Sequence, residues 1–323
     1  MLVIHDAVHA PELPRGVVAT IGNYDGIHLG QRSVLELLRG RARETGLLAA
    51  VVTFDPHPLC VLRPEVPIRR LTTAAQKVAL LEDAGMDALV LIRFTPEFSR
   101  LPARSFVRDF LHERLDAKEI YVGSRFAFGH RRGGDLSLLR QMGESFGFSA
   151  FAVEEVSYLQ EAVSSTRIRT ALSSGDVELA RRLLGRPYEI TGLVARGEQV
   201  GRKLGWPTLN VATDNALVPL SGVYACRARL AAEPQVFDAV TNIGVRPTVQ
   251  ARSALVVESH LLDFDADAYG QRVELHFYER LREEQRFPSM MELSEQIGRD
   301  AAVARRYFAG QQAMSLSESK ADN

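Results

Sequence analysis

Cysteine is almost missing from this chain: Cys60 and Cys226 are the only two in 323 residues, and neither belongs to a C-x-x-C pair. That excludes a disulfide framework. It points to a reducing, cytoplasmic setting in which each thiol packs as a small buried apolar side chain. An excess of one charge is missing too. The 39 Lys and Arg meet 40 Asp and Glu, for a formal net charge of -1, so bulk attraction to nucleic acid is not expected. No apolar run is long enough to cross a bilayer. Met1 to Ala10 carries His5, Asp6 and His9 and lacks a basic start with an apolar core, so it does not read as a signal peptide. H-E-x-x-H spacing is absent, and with it any zinc signature. Internal repeats and low-complexity tracts are absent as well.

What remains is an ordinary globular composition, 46% hydrophobic and 24% charged, at a length that suggests two domains. In the first half, short apolar runs alternate with helical patterns. Val17–Ile21, Leu48–Phe54, Ala88–Ile92, Ile120–Val122 and Ala150–Val153 read as strands. Gln31–Glu44, Thr72–Ala84 (Thr72 near its cap), Ala103–Leu115 and Leu136–Phe146 read as helices, with Thr166–Leu172 and Val177–Leu184 beyond them. This order predicts βαβ units and a parallel sheet. Arg186-Pro187-Tyr188 reads as a boundary, dividing the chain into residues 1–184 and 185–309. Past it the period changes to two: Tyr224, Cys226, Ala228 and Leu230 alternate with polar or small neighbours, and so do Val273, Leu275 and Phe277. With Leu255–Leu262 these predict half-buried antiparallel strands and a small barrel. A closing helix, Met290–Phe308, places Met290, Leu293, Ile297, Ala301, Ala304 and Phe308 on one face. Residues 310–323 read as a polar, disordered tail.

Two constellations carry chemistry. The first is Gly22-Asn23-Tyr24-Asp25-Gly26-Ile27-His28-Leu29-Gly30-Gln31, between a strand and a helix. A helix start offers free amides and partial positive charge to phosphates, and glycine lets a ligand approach closely. The plainer reading is a Gly-rich turn with a surface histidine. Val163-Ser164-Ser165-Thr166-Arg167-Ile168-Arg169 sets hydroxyls and guanidinium groups before another helix, an anion site or a simple cap. Thr53-Phe54-Asp55-Pro56-His57-Pro58 ends a strand on the same sheet edge, so the three stretches are expected to converge. The second constellation runs from Arg196 to Asn210. Gly197, Gly201 and Gly205 expose backbone, Arg202 and Lys203 add charge, and Thr208 and Asn210 point the same way in an extended segment. They suit a nucleotide phosphate tail with Mg²⁺, or else a basic surface hairpin. Glu258, amid an apolar strand, is a candidate general base or a solvent-facing acid.

These stretches resemble a family, the bacterial bifunctional riboflavin kinase/FMN adenylyltransferases. The first half resembles its nucleotidyltransferase module on three marks: G-x-F-D-x-x-H-x-G-H, I-S-S-T-x-I-R with Val163 for Ile, and F-x-P-x-P from Phe54 to Pro58. The second half carries every fixed position of R-G-x-x-x-G-R-x-L-G-x-P-T-x-N from Arg196 to Asn210. G-V-Y-A, N-I-G-x-R-P-T, E-x-H-L-L-D-F and L-R-x-E-x-x-F follow in family order. The resemblance implies a parallel α/β nucleotidyltransferase domain followed by a six-stranded antiparallel riboflavin-kinase barrel with a terminal helix. It implies ATP as co-substrate with Mg²⁺, and riboflavin, FMN, FAD, ADP and pyrophosphate as the remaining ligands. In the first domain Gly22, Asp25, His28, Gly30, Gln31, Ser165, Thr166 and Arg169 would meet ATP phosphates, and Arg125, Phe126 and Phe128 the flavin. In the second, Gly197, Gly201, Arg202, Lys203 and Gly205 would hold phosphates. Thr208 and Asn210 would hold Mg²⁺–ATP, and Glu258 would take the proton from the ribityl hydroxyl. Tyr24 for the motif's Phe is a mild departure, and two others matter. Gln31 stands where the motif has a second histidine, and a lost transition-state donor of that kind is worth roughly 10²–10³ in rate. Arg125 stands for the acid of V-G-x-D-F-x-F-G, reversing the charge at the flavin side. A kinase with an impaired first domain and a non-catalytic flavin-binding protein are the alternative readings.

Overall fold

Two hydrophobic periods in the sequence produce two kinds of sheet. A computed structural model of the chain describes residues 1–197, 201, 204–246 and 254–321. The chain divides into two compact units, Met1–Ser165 and Thr166–Asn323.

The first unit is a six-stranded, wholly parallel sheet. Its strands are β1 (Leu2–Ile4), β2 (Val17–Ile21), β3 (Leu48–Asp55), β4 (Ala88–Arg93), β5 (Ala117–Gly123) and β6 (Ser149–Val153), in the order β1-β4-β3-β2-β5-β6. All of β2 is buried, as expected where helices cover both faces. One face packs on α1 (Leu29–Thr45) and α2 (Ala74–Asp83) through Val34, Leu35, Leu38 and Leu81. The other packs on α3 (Ala103–Ser105, continued by a π-helical stretch, Phe106–Arg114) and α4 (Leu136–Phe146), through Phe106, Phe110 and Leu139. The cap of α2 is Thr73 rather than Thr72: its hydroxyl accepts from Gln76 N while Gln76 Oε1 accepts from Thr73 N, a complete capping box. The three-residue β1 gave no periodic signal.

In the second unit, six antiparallel strands close into a barrel. They are β7 (Tyr188–Ala195), β8 (Leu209–Thr213), β9 (Gly222–Leu230), β10 (Val236–Arg246), β11 (Ala254–Leu261) and β12 (Arg272–Arg282), ordered β8-β11-β10-β9-β12-β7. The alternation read in the sequence is observed: Tyr224, Cys226, Ala228 and Leu230 are buried, as are Val273, Leu275 and Phe277. Burial raises the Cys226 thiol well above its ordinary value, so it stays protonated. Cys60 is only half-buried, against the expectation that both cysteines lie in a core.

The compact units and the terminal helix have bounds of their own. The helices α5 (Ser165–Ser173) and α6 (Val177–Leu184) belong with the barrel unit, so the compact boundary falls about twenty residues before 185. Leu220 N donates to Leu172 O at 3.0 Å, and the Arg280 side chain lies over Gly175. The terminal helix α7 (Met290–Ala321) does not stop at Phe308 but runs through the stretch read as a disordered tail. Beyond Gly310 that stretch has no proline and is rich in good helix formers, so the ladder propagates. Ala301, Ala304 and Phe308 of α7 pack on Val223, Ala225 and Val240 of the barrel. Asp300 is buried there, paired with Arg282 at 2.8 Å and accepting from Gln296 at 2.8 Å.

Candidate active sites

In the first unit the strand order reverses about β2, and the crevice outside the carboxyl ends of β2 and β5 is where such sheets bind ligands. The Gly22–Gly30 loop leaves β2 there. Its backbone turns left-handed three times in four residues, at Tyr24 (φ 44°), Gly26 (φ 95°) and Ile27 (φ 45°). Two of these are not glycine, a conformation kept only where the surroundings impose it. Tyr24 is buried with its hydroxyl 2.8 Å from Thr20 Oγ1, and burial pushes the phenol pKa up.

Asp25 ties its loop to the scaffold. It is buried, and its carboxylate accepts from Leu71 N (3.0 and 3.1 Å), Thr72 N (3.2 Å) and Thr72 Oγ1 (3.3 Å). A carboxylate so held pins the loop to residues 71–72. Lys77 adds a second tie that the sequence did not signal, since a helical lysine reads as a solvated charge. Its Nζ donates to Asn23 O at 3.2 Å. Burial lowers its pKa, with Asp25 and Asp55 opposing.

His28 is the N-cap of α1. Gln31 N donates to His28 Nδ1 at 3.3 Å, and His28 N donates to Gln31 Oε1 at 3.2 Å, a reciprocal capping box. With Nδ1 accepting, the proton of the neutral ring lies on Nε2. The glutamine that departs from the family pattern is thus one of the residues that orient the motif histidine. Ser165 Oγ donates to Asp25 O at 2.8 Å, joining the hydroxyl-rich stretch to the loop. Thr166 and Arg169 follow on α5, in the second unit.

Two cavities open at this crevice. One, of about 250 Å³, is lined by Gly22, His28, Gly30, Gln31, Arg125 and Glu155 among others. The other, of about 620 Å³, is walled by Phe54, Phe94, Phe98, Phe106, Phe126 and Phe128. Phe126 and Phe128 stack with ring centroids 5.4 Å apart. Gly22 and Arg125 line both cavities. Arg125 donates from Nε and Nη2 to the two Glu155 carboxylate oxygens at 2.5 and 2.9 Å. A small cavity of mixed polarity sharing two lining residues with a larger aromatic one suits a ligand with a flat ring and an anionic tail.

On the barrel, three strands bring three distant residues into one row. Asn210 on β8 faces Glu258 on β11, and Glu258 faces Asn242 on β10. Directly paired residues share a face with Cβ atoms about 4.5–5.5 Å apart. Their neighbours Val211, Val257, Ser259 and Thr241 are buried inside the barrel, so the row lies on its outer surface, half-buried. Thr208 precedes it. Leu204 N and Trp206 N both donate to Gly201 O, at 3.0 and 2.8 Å, closing a tight turn. A Cβ at Gly201 would meet Trp206 O at 2.4 Å and Thr208 Oγ1 at 3.3 Å, and one at Gly197 would meet Asn210 Nδ2 at 2.3 Å. Gly205 completes the turn at φ 80°. Arg196 lies 5.6 Å from the Tyr269 ring centroid.

A cavity of about 380 Å³ is walled by Pro207, Thr208, Asn210, Phe264, Asp267 and Tyr269 among others. Glu258 is not part of that wall; it joins the group through Asn210. Two further residues were not singled out in the sequence. Asn242, which opens N-I-G-x-R-P-T, flanks Glu258, and the Glu284 carboxylate lies over Gly244 beside the Asn242 amide. Arg202 and Lys203 lie outside the described residues, as do Pro247 and Thr248.

Comparison with known proteins resolves the class first. Residues 10–167 match the family model described as FAD synthetase, and residues 184–308 match that described as riboflavin kinase. Residues 168–183 fall between the two matches. The chain is therefore an ATP-using transferase in two parts. Its curated relatives carry both. The bifunctional riboflavin kinase/FMN adenylyltransferase of Pseudomonas fluorescens is 42% identical over 295 residues, covering 91% of this chain and 94% of the relative. That of Escherichia coli (strain K12) is 38% identical over 305 residues, covering 94% and 96%. The chain belongs to the bifunctional riboflavin kinase/FMN adenylyltransferase family. A crystal structure described as a macrolide-efflux protein from Streptococcus pneumoniae is also similar, with a TM-score of 0.86 at 28% identity, covering 94% of this chain and 98% of that one. Efflux is said of that protein alone. Among the described residues here, no helix is long and apolar enough to cross a membrane.

Proposed function

We propose that the barrel unit phosphorylates riboflavin with ATP and that the α/β unit transfers AMP from ATP to the resulting FMN. The observation that carries the first step is the cross-strand pairing of Asn210 with Glu258. It sets an amide beside a carboxylate on the same face as a nucleotide-type cavity. Glu258 takes the proton as the ribityl 5′-hydroxyl oxygen attacks the γ-phosphorus of ATP, and ADP leaves. Thr208 and Asn210 offer a hydroxyl and a carboxamide oxygen, hard donors suited to Mg²⁺. Among the described residues, no cluster of three or more His, Cys, Asp or Glu forms a dedicated cage. That fits an ion which keeps waters and substrate phosphates among its ligands. Bound with ATP, Mg²⁺ neutralises charge on the phosphates. Positioning by the chain then dominates the chemistry.

In the first unit an FMN phosphate oxygen attacks the α-phosphorus of ATP and pyrophosphate leaves. His28, with its Nε2 proton, steadies the charge developing on the leaving group. The aromatic cavity takes the flavin ring, and Arg125, lining both cavities, takes the FMN phosphate. The test is purified full-length protein with ATP, Mg²⁺ and either riboflavin or FMN, products separated by chromatography. FMN from riboflavin and FAD from FMN are expected. A protein that yields neither would refute the proposal, and a Glu258→Gln variant with full kinase rate would remove Glu258 from the mechanism.

A further inference from the structure

Arg125 stands where the two cavities of the first unit meet, and it is already paired. Both of its donating nitrogens engage both carboxylate oxygens of Glu155, the planar two-point geometry with which a guanidinium also grips a phosphate. Glu155 lines the smaller cavity, and Gly22, the other residue shared by the two cavities, leaves only backbone there. The pair is reachable from solvent: the Arg125 side chain is 75% exposed and that of Glu155 37%. An exposed pair of this kind is weak enough to be exchanged by a competing anion.

We propose that Glu155 is a built-in competitor in the adenylyl-transfer site, a carboxylate that occupies Arg125 until the dianionic phosphate of a flavin nucleotide displaces it, so that it raises KM for the phosphorylated flavin and leaves binding of the bare ring unchanged. The inference rests on the assignment of Arg125 to the FMN phosphate. Its logic is competition. A flavin without a phosphate has nothing to offer the guanidinium, so Arg125 stays on Glu155 and the ring binds by stacking alone. A flavin with a phosphate must first break the Arg125–Glu155 pair, which lowers its apparent affinity by the fraction of molecules in which the pair is closed. Glu155 therefore acts on the phosphorylated flavin alone and narrows its advantage over the bare ring. Arg125 is the source of that advantage. The acid that the family pattern has at this position would repel a phosphate, whereas arginine draws it in.

The experiment is a double-substitution cycle in full-length protein. It reads KM and kcat for FMN in FAD formation from saturating MgATP, with a thermal melt to show that each variant is folded. Glu155→Gln keeps the shape but gives up the charge, and should lower KM for FMN about two- to fivefold, the range an exposed two-point ion pair supports. Arg125→Ala should raise KM for FMN about tenfold or more. Glu155→Gln added to Arg125→Ala should no longer lower it. Lumiflavin, the same ring with neither phosphate nor ribityl hydroxyls, serves as a competitor of FMN. Its inhibition constant should be the same for the unaltered protein and for the Glu155→Gln variant. If Arg125→Ala leaves KM for FMN where it was, the assignment of the phosphate to Arg125 fails, and the inference with it. If Arg125→Ala weakens FMN but Glu155→Gln does not tighten it, or tightens it equally without Arg125, the assignment stands and the competition is refuted. A Glu155→Gln change that also tightens lumiflavin overturns it too, since the effect would then lie with the ring and not the phosphate.

Discussion

Replacing Gly197 by alanine adds one methyl group at a position whose backbone any residue can adopt, and so isolates the placement of Asn210. The added Cβ would lie 2.3 Å from Asn210 Nδ2, 2.4 Å from Cγ and 2.5 Å from Oδ1, against ordinary contacts that begin near 3.4 Å. The amide must therefore retreat by roughly 1 Å. A misplacement of about 1 Å in a positioned group costs on the order of 10²-fold in rate. Asn210 is anchored in β8 and paired with Glu258, so the displacement falls on the very side chain proposed to hold Mg²⁺–ATP. We expect Gly197→Ala to lower kcat/KM for FMN formation about 100-fold, while the melting temperature moves little because Gly197 is only partly buried and lies beyond the end of β7. The assay is fluorescence-detected chromatography of riboflavin and FMN with calorimetric melting alongside. The same change in an Asn210→Ala background tests the cause. With the amide gone there is nothing to push, and the second loss should shrink to a small factor. A folded Gly197→Ala enzyme of normal activity, or a loss of equal size in both backgrounds, would refute the reasoning.

Two further outcomes follow from contacts already described. Asp300→Ala strands the nearly buried Arg282 guanidinium at the α7–barrel contact, and should destabilise the protein by about 3 kcal/mol, the low end for a broken buried pair, in urea unfolding. Gln31→Glu keeps the capping box, because glutamate serves at the third helical position as well as glutamine, but it sets an anion in the smaller cavity. Its melting temperature should be unchanged while KM for ATP in FAD formation rises severalfold; an unmoved KM would place ATP elsewhere.

Much of the architecture was legible because hydrophobic period reports burial. Five of the six parallel strands announced themselves as apolar runs, β9 and β12 as alternation, and β11 as a further apolar strand. The strands that stayed silent have particular reasons. In β7 the inward position 192 is glycine, since any side chain there would strike Ala212 O, and the apolar alternation breaks at that point. In β10 the inward Thr241 is polar, bonded to Ser259 inside the barrel, while the outward Val240 is buried under α7. Both changes blur a period of two. At the sites, spacing told that Thr208 and Asn210 share a face. It did not tell that Glu258 and Asn242 lie beside them, because ladder register joins residues dozens of positions apart. Asp25 carried the motif's acid but not its use. Only the fold shows that Leu71 and Thr72 come to it.

Closure of the barrel gives that register a permanence an open sheet lacks. A single-residue slip of β11 would send Glu258 inward and Ser259 outward. In a ring with no free edge, that slip would have to be absorbed by every other strand before the ladder could close again. The chemistry on the wall is thus keyed to the hydrogen-bond lattice itself. Loops at either end are free to lengthen or vary in sequence while the spacing of the three side chains stays fixed.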